Sequence, residues 1–469
     1  MPRRYNVRFA PTTQVSVDKP IACDKCGQYS EIGALPQRSR SGCKDCKRRR
    51  VKCDETFPVC LRCQKRGTVC ESESSLPQWQ LEISPLVSRG ITSPSQMRLL
   101  RHWCEKASQI MVLDPESNPF SFQILAYLDI SPSLMPSILS VSAAHEQFFR
   151  KECLETCLEE RGKALLLLQK ELGGKQPHPT TFFSVFMLGI STPWIDPSSS
   201  QFGYEHLTGG RALIELIINS STNTDRQFAQ LALGTYLYWD MACSFLCEPS
   251  QQSQISSSIP EAVAKIAGDF HPIMGYSAEI MYTLANLGRY CRSFIELGTR
   301  DFALEEESEA RLLAWQPTTK CTELMLLGNS FRNHGLINLY RICGRTGGRT
   351  EEDLDMGNYP PVQDIETEKI IRQYALQTVR DLSQIPTHNW HTNMQAISLL
   401  TAGSELTAYD HRERDIVVGR FNALYSINRL PGNLMAIDIL QDVWQARDLE
   451  IPTSWVHVML LRGWRLSLG

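Results

Sequence analysis

Residues 41–70, SGCKDCKRRRVKCDETFPVCLRCQKRGTVC, hold six cysteines at a spacing that could bind metal: Cys43-x2-Cys46-x6-Cys53, six residues, then Cys60-x2-Cys63-x6-Cys70. One half-motif is written twice. A Cys-x2-Cys step brings two thiolates onto one ion, and structural zinc takes four ligands in a tetrahedron. Three cysteines per half leave each ion one ligand short. If the first cysteine of each half bridges both ions, six residues make all the bonds, and Cys43 and Cys60 are the symmetric choice. No position then stays open, so the expected centre is structural and not catalytic. A second arrangement also fits the spacing. Cys23-x2-Cys26-x16-Cys43-x2-Cys46 reads as a four-cysteine ribbon, leaving Cys53, Cys60, Cys63 and Cys70 for a second ion. It breaks the duplication and gives the surrounding cations no role. Otherwise Cys23 and Cys26 are a pair of free thiols.

Cations accompany the cysteines. The 469-residue chain has a net charge of −3, yet eleven Lys/Arg against Asp45, Asp54 and Glu55 give residues 38–70 a formal +8, so the remainder carries −11. Thiolates and zinc contribute about −2, which leaves the module at roughly +6. The spacer of the first half holds Lys47, Arg48, Arg49, Arg50 and Lys52, while the second holds only Lys65 and Arg66. A basic run alone is commonly a solvated face or an import tag. Fixed at both ends by metal ligands on a short helical turn, it becomes a rigid element that can meet phosphate. A basic module on an acidic body points to a nucleic-acid or acidic-surface binder joined to something else.

The elements around this module are helical. Residues 1–37 form an irregular N-terminal segment, 38–71 the zinc module, 72–94 a Ser- and Pro-rich linker, and 95–469 a large helical domain. Ser93 is placed to cap a helix, with Pro94 at its first position and Gln96 completing a capping box. Met97, Leu100, Trp103, Cys104, Ala107, Ile110 and Met111 then recur on one face. Similar patterns continue, as in RGKALLLLQKEL and TEKIIRQYALQTVRDL, without alternating strands or repeats. The Gly-rich stretch 344–361 is predicted to be a loop. The fold class is therefore mainly α.

No secretory signal is expected from MPRRYNVRFAPTTQ, which lacks an apolar core, and no run reaches the ~18 apolar residues of a membrane span. Clustered cysteines in such a chain suit metal or reduced thiols, in the cytosol or nucleus. No Gly-x-Ser-x-Gly elbow, phosphate loop or His-Glu-x-x-His motif is found, and an enzyme is not expected. His145 is expected to be a satisfied helix histidine. The Cys153/Cys157 and Cys243/Cys247 pairs are expected to be buried thiols.

The stretch GCKDCKRRRVKCDE resembles the DNA-binding domain of the fungal zinc binuclear cluster transcription factors. MRLLRHWCEKASQIMV, ILSVSAAHEQFF and HLTGGRALIE resemble the helical regulatory region that follows it in many of them. The resemblance implies one zinc on Cys43, Cys46, Cys53 and Cys60 and the other on Cys43, Cys60, Cys63 and Cys70. Pro58 falls where the family places a loop proline. The family's base-reading position corresponds to Arg50, where lysine is the frequent occupant, and family members commonly read CGG triplets. The implied DNA-contacting set is Lys44, Lys47, Arg48, Arg49, Arg50 and Lys52. The implied protein is a nuclear, sequence-specific regulator of RNA polymerase II genes, for instance of a metabolic or secondary-metabolite cluster. Its expected partners are double-stranded DNA and the transcription machinery or co-regulators. The linker shows no sustained heptads, so any homodimer is expected to form through the helical body. The alternative is a zinc-dependent nuclear adaptor or RNA-binding protein whose body docks other proteins.

Overall fold

The computed structural model describes residues 42–54, 60–68, 70, 93–121, 123–148, 153–174, 177–195, 202–220, 225–252, 258–345, 365–387 and 389–468. Cys23, Cys26, Pro58, nearly all of the linker and most of the Gly-rich stretch lie outside these residues. The chain divides into units 1–40 and 41–469, and every described residue belongs to the second. Its described elements are helices, and among the described residues the only extended pairing is one isolated bridge between His271 and Gly275.

Two five-residue helices, α1 (Lys44–Arg48) and α2 (Leu61–Lys65), carry the cysteine module. The body starts at α3 (Pro94–His102), where the Ser93 hydroxyl accepts the Gln96 amide at 3.2 Å and Pro94 occupies the first turn, as the sequence predicts. The Gln96 side chain reaches Glu160 at 3.5 Å. The apolar face runs on through a π turn, Trp103–Ala107, and a 3-10 turn, Gln109–Met111, so it spans three kinds of helix rather than one. Leu100, Trp103, Cys104, Ala107 and Met111 are buried along it.

α4 (Leu134–Glu146) is buried at every residue, since α3, α5 (Leu154–Leu172) and α6 (Thr181–Ile190) cover it. After a short α7 (Thr192–Ile195) follow α8 (Tyr204–Asn219), α9 (Arg226–Cys243), α10 (Ser258–Ile266), α11 (Ala278–Leu297) and α12 (Phe302–Ala314). The second centre of packing is α13 (Thr322–Cys343), against which α11, α12, α14 (Ile365–Gln384) and α15 (Ala396–Ser404) pack. α16 (His411–Asn428), α17 (Gly432–Asp448) and α18 (Trp455–Leu461) close the body.

One buried cluster in this body pairs acid with base. Glu405 receives Arg341 at 2.5 Å and also Arg447, while Arg341 reaches Glu368 at 2.5 Å. Burial works to raise the Glu405 carboxyl, but the two guanidinium groups hold it below its ordinary value. No described helix is long and apolar enough to cross a membrane.

Candidate metal centre and nucleic-acid interface

The two halves of the module share the same cap, corner and return. Cys43 caps α1 by accepting the Cys46 amide at 3.4 Å, and Cys60 caps α2 by accepting the Cys63 amide at 3.4 Å. Two residues beyond each helix, four past its second cysteine, the backbone enters the left-handed region: Arg50 at φ +58° and Gly67 at φ +61°. The chain then returns identically, Val51 N–H to the Cys46 carbonyl at 3.1 Å and Thr68 N–H to the Cys63 carbonyl at 3.1 Å. The duplication in spacing is a duplication of backbone.

This turn aims the thiols inward. All six cysteines are buried, and their sulfurs form two groups of four, Cys43/Cys46/Cys53/Cys60 and Cys43/Cys60/Cys63/Cys70, each within 4.8 Å. Cys43 and Cys60 belong to both. Measured separations are 3.8 Å for Cys43–Cys60, 3.6 Å for Cys43–Cys63 and 3.6 Å for Cys46–Cys60. A zinc tetrahedron with Zn–S bonds of ~2.3 Å has an S–S edge of about 3.8 Å, so the donor set fits the ion. Thiols this close cannot all ionise without a cation. Burial works to raise Cys43, yet the Cys46 amide and neighbouring thiols hold it at about 7, while burial first of all pushes Cys60 up to about 12. Bound zinc would keep all six as thiolates.

Carboxylates lock the halves together. Buried Asp45 takes Arg48 at 2.5 Å and Arg49 at 2.9 Å, and accepts the Thr68 hydroxyl of the other half at 3.3 Å. Burial works to raise its carboxyl, and hydrogen bonds from Arg48 and Arg49 bring it below its usual value. Asp54 accepts the Leu61 and Arg62 amides at the start of α2, at 2.9 and 3.3 Å. Lys44, Lys47, Arg48, Arg49, Arg50 and Lys52 are all exposed. The structure thus brings the predicted cations onto one half, and shows that Arg48 and Arg49 also serve Asp45.

The other half faces the body. Gln64 on α2 is only 9% exposed and donates from Nε2 to the Thr387 carbonyl at 2.9 Å. Ile427, near the end of α16, packs into the cysteine cluster, with Val51 beside it. Sequence reasoning missed this seat. A lone glutamine in a basic stretch gives no sign of burial, and its partner is a main-chain carbonyl 323 residues away.

The remaining candidates behave as expected. His145 is buried between His102 at 2.9 Å and the Asn428 carbonyl at 3.0 Å, and burial lowers it to about 4, so it stays neutral. Cys153, Cys157, Cys243 and Cys247 are buried, and burial raises all four thiols.

Six buried cysteines in two overlapping four-sulfur groups, joined to a helical body, define a class of metal-stabilised module on a helical domain. Residues 41–79 match the fungal Zn(2)-Cys(6) binuclear cluster domain, and residues 98–469 match the fungal specific transcription factor domain. The chain belongs to this family of fungal transcription factors, and its zinc domain binds two zinc ions through six cysteines. Over 65 residues it is 40% identical to the aspercryptin biosynthesis cluster-specific transcription regulator atnN of Emericella nidulans, covering 14% of this chain and 11% of that protein. It is 54% identical over 35 residues to the transcriptional regulatory protein moc3 of Schizosaccharomyces pombe, covering 8% and 7%. It is 36% identical over 78 residues to the Zn(2)-C6 fungal-type transcription factor afumD of Aspergillus fumigatus, covering 14% and 21%. The chain therefore spans at most 21% of these curated relatives in the aligned stretches. No solved structure matches it.

Proposed function

We propose that this chain is a nuclear, sequence-specific regulator of RNA polymerase II genes that reads CGG-type sites. In this account residues 38–71 read DNA, 72–94 tether and 95–469 regulate. One zinc sits on Cys43, Cys46, Cys53 and Cys60, the other on Cys43, Cys60, Cys63 and Cys70. The observation that carries the reading is the asymmetry of two matched half-modules: one exposes Lys44, Lys47, Arg48, Arg49, Arg50 and Lys52, while the other buries Gln64 against the body. The second half also exposes Arg62, Lys65 and Arg66, but the first carries the denser run of exposed cations. Control of a biosynthetic gene cluster is the role named for the Emericella relative, and we extend it to this chain.

Arg50 stands at the left-handed corner after α1, where a guanidinium can meet guanine O6 and N7 together. Arg50→Ala should cost ~1–3 kcal/mol of discrimination between CGG-type and scrambled duplexes. Lys52→Ala should instead weaken both duplexes alike and reduce the salt slope by about one unit. The test is a salt series on both duplexes for each variant. If Arg50→Ala shifts both curves in parallel, Arg50 is a backbone contact and the assigned reading role is wrong.

A further inference from the structure

Two arginines beside the seat of the zinc module lack what other buried arginines in the body have. Arg292, Arg300 and Arg341 meet Glu296, Glu305 and Glu405. Arg420 and Arg429 are each 6% exposed, and neither forms an ion pair among the described residues. Arg420 donates to neutral groups, Gln395 Oε1 at 2.6 and 3.2 Å and the Ile385 carbonyl at 3.1 Å. Burial alone lowers it to about 10. Arg429 stacks on Tyr425 at 5.2 Å, and its Nε and Nη2 are buried without a hydrogen bond. A buried charge without a counterion is costly.

Both arginines flank Ile427, the α16 residue that packs into the cysteine cluster. Arg429 follows it by two residues. Arg420 precedes it by seven, which is two turns or about 10 Å along the helix and within about 20° of the same face. Arg420 also holds the Ile385 carbonyl, two residues ahead of the Thr387 that accepts Gln64. What the body meets at this seat changes with metal. Protonated thiols are neutral, whereas two Zn²⁺ on six thiolates carry a formal charge of about −2. The exposed Lys and Arg of the module face water and are screened within ~8 Å, but the cysteine cluster is buried and is screened far less.

We propose that Arg420 and Arg429 are the body's countercharge to the zinc cluster. The seat then selects the metal-loaded module, and by linkage a seated module holds its zinc more tightly. This rests on zinc binding by the six cysteines and on no DNA contact. At either position lysine keeps the charge and methionine keeps the bulk. Zinc retention is measured in the full chain by competition with a chromophoric chelator, with far-UV circular dichroism as the check on folding. Arg429→Met and Arg420→Met should each give up zinc about tenfold more readily, while Arg429→Lys and Arg420→Lys stay within about threefold of wild type. The chelated chain should respond with the opposite sign at Arg429. With no anionic cluster to face, Arg429→Met should melt higher than wild type, because an unpartnered buried charge is gone. Unchanged zinc retention in the methionine variants would overturn the proposal. So would equal losses from lysine and methionine, since the arginines would then serve by shape or hydrogen bonding and not by charge. A chelated Arg429→Met chain that melts lower by as much as the loaded one would overturn it too.

Discussion

The two halves of the zinc module have one backbone and two surfaces. Both begin with a cysteine cap, turn through five helical residues, pass a left-handed corner and return to the same carbonyl. The first half spends its side chains on charge, with Arg48 and Arg49 shared between Asp45 and solvent. The second places Gly67 where the first has Arg50, and Gln64 against the body. Metal ligation fixes the scaffold so firmly that the rest of each half is free to differ. Duplication thus puts a body-facing glutamine on one half and a run of exposed cations on the other without a second fold.

The comparison can be broken at its shared ligands first, where the effect is largest. Structural zinc contributes ~10–16 kcal/mol to folding in small modules. Cys60 belongs to both sulfur groups and Cys70 to one. Cys60→Ser should therefore remove both ions, whereas Cys70→Ser should keep one, as metal analysis of gel-filtered protein would show. Equal losses would mean that the halves are not joined by shared thiolates.

The second test concerns the seat. Gln64→Ala with Ile427→Ala should loosen α2 from the body by about 2 kcal/mol, from one lost hydrogen bond and a cut apolar contact. Hydrogen exchange should quicken across α2 and residues 385–387 while zinc content stays at two. Equal loosening by Lys47→Ala would dissolve the division of labour between the halves.

The smallest effect sharpens the corner itself. A non-glycine residue in the left-handed region costs roughly 1–2 kcal/mol. Gly67→Ala should destabilise the module by about 1 kcal/mol, although its Cβ would meet nothing. Arg50→Gly should hold stability within about 1 kcal/mol while removing the guanidinium. A thermal melt of each zinc-loaded variant checks both, and a strongly destabilised Arg50→Gly would show that the arginine holds the corner by contacts rather than under strain.

Most of the metal centre was legible in the sequence because thiolate chemistry ties spacing to geometry. Cys43 and Cys60 fall in both sulfur groups, as the duplicated spacing requires. The helical body was legible as a class for a similar reason, since its apolar faces repeat at helical intervals. Its details were not. The π turn at Trp103–Ala107 keeps the apolar face while leaving the α-helix, so periodicity alone cannot mark it. The Arg341–Glu405–Arg447 cluster joins residues far apart in the chain, and pairing at that distance leaves no local pattern. The Gln64 seat was invisible because half of its bond is an amide carbonyl common to every residue.

That seat also sets an order in time. Gln64 and Thr387 are 323 residues apart, and chains grow at ~5–20 residues per second. The zinc module therefore leaves the ribosome roughly 16–65 s before the segment that receives it. During that interval its thiolates have only each other and the available metal. Docking must wait for the later segment, whereas the six cysteines are all present from the start, so a chain that meets zinc early carries a folded module before its seat exists.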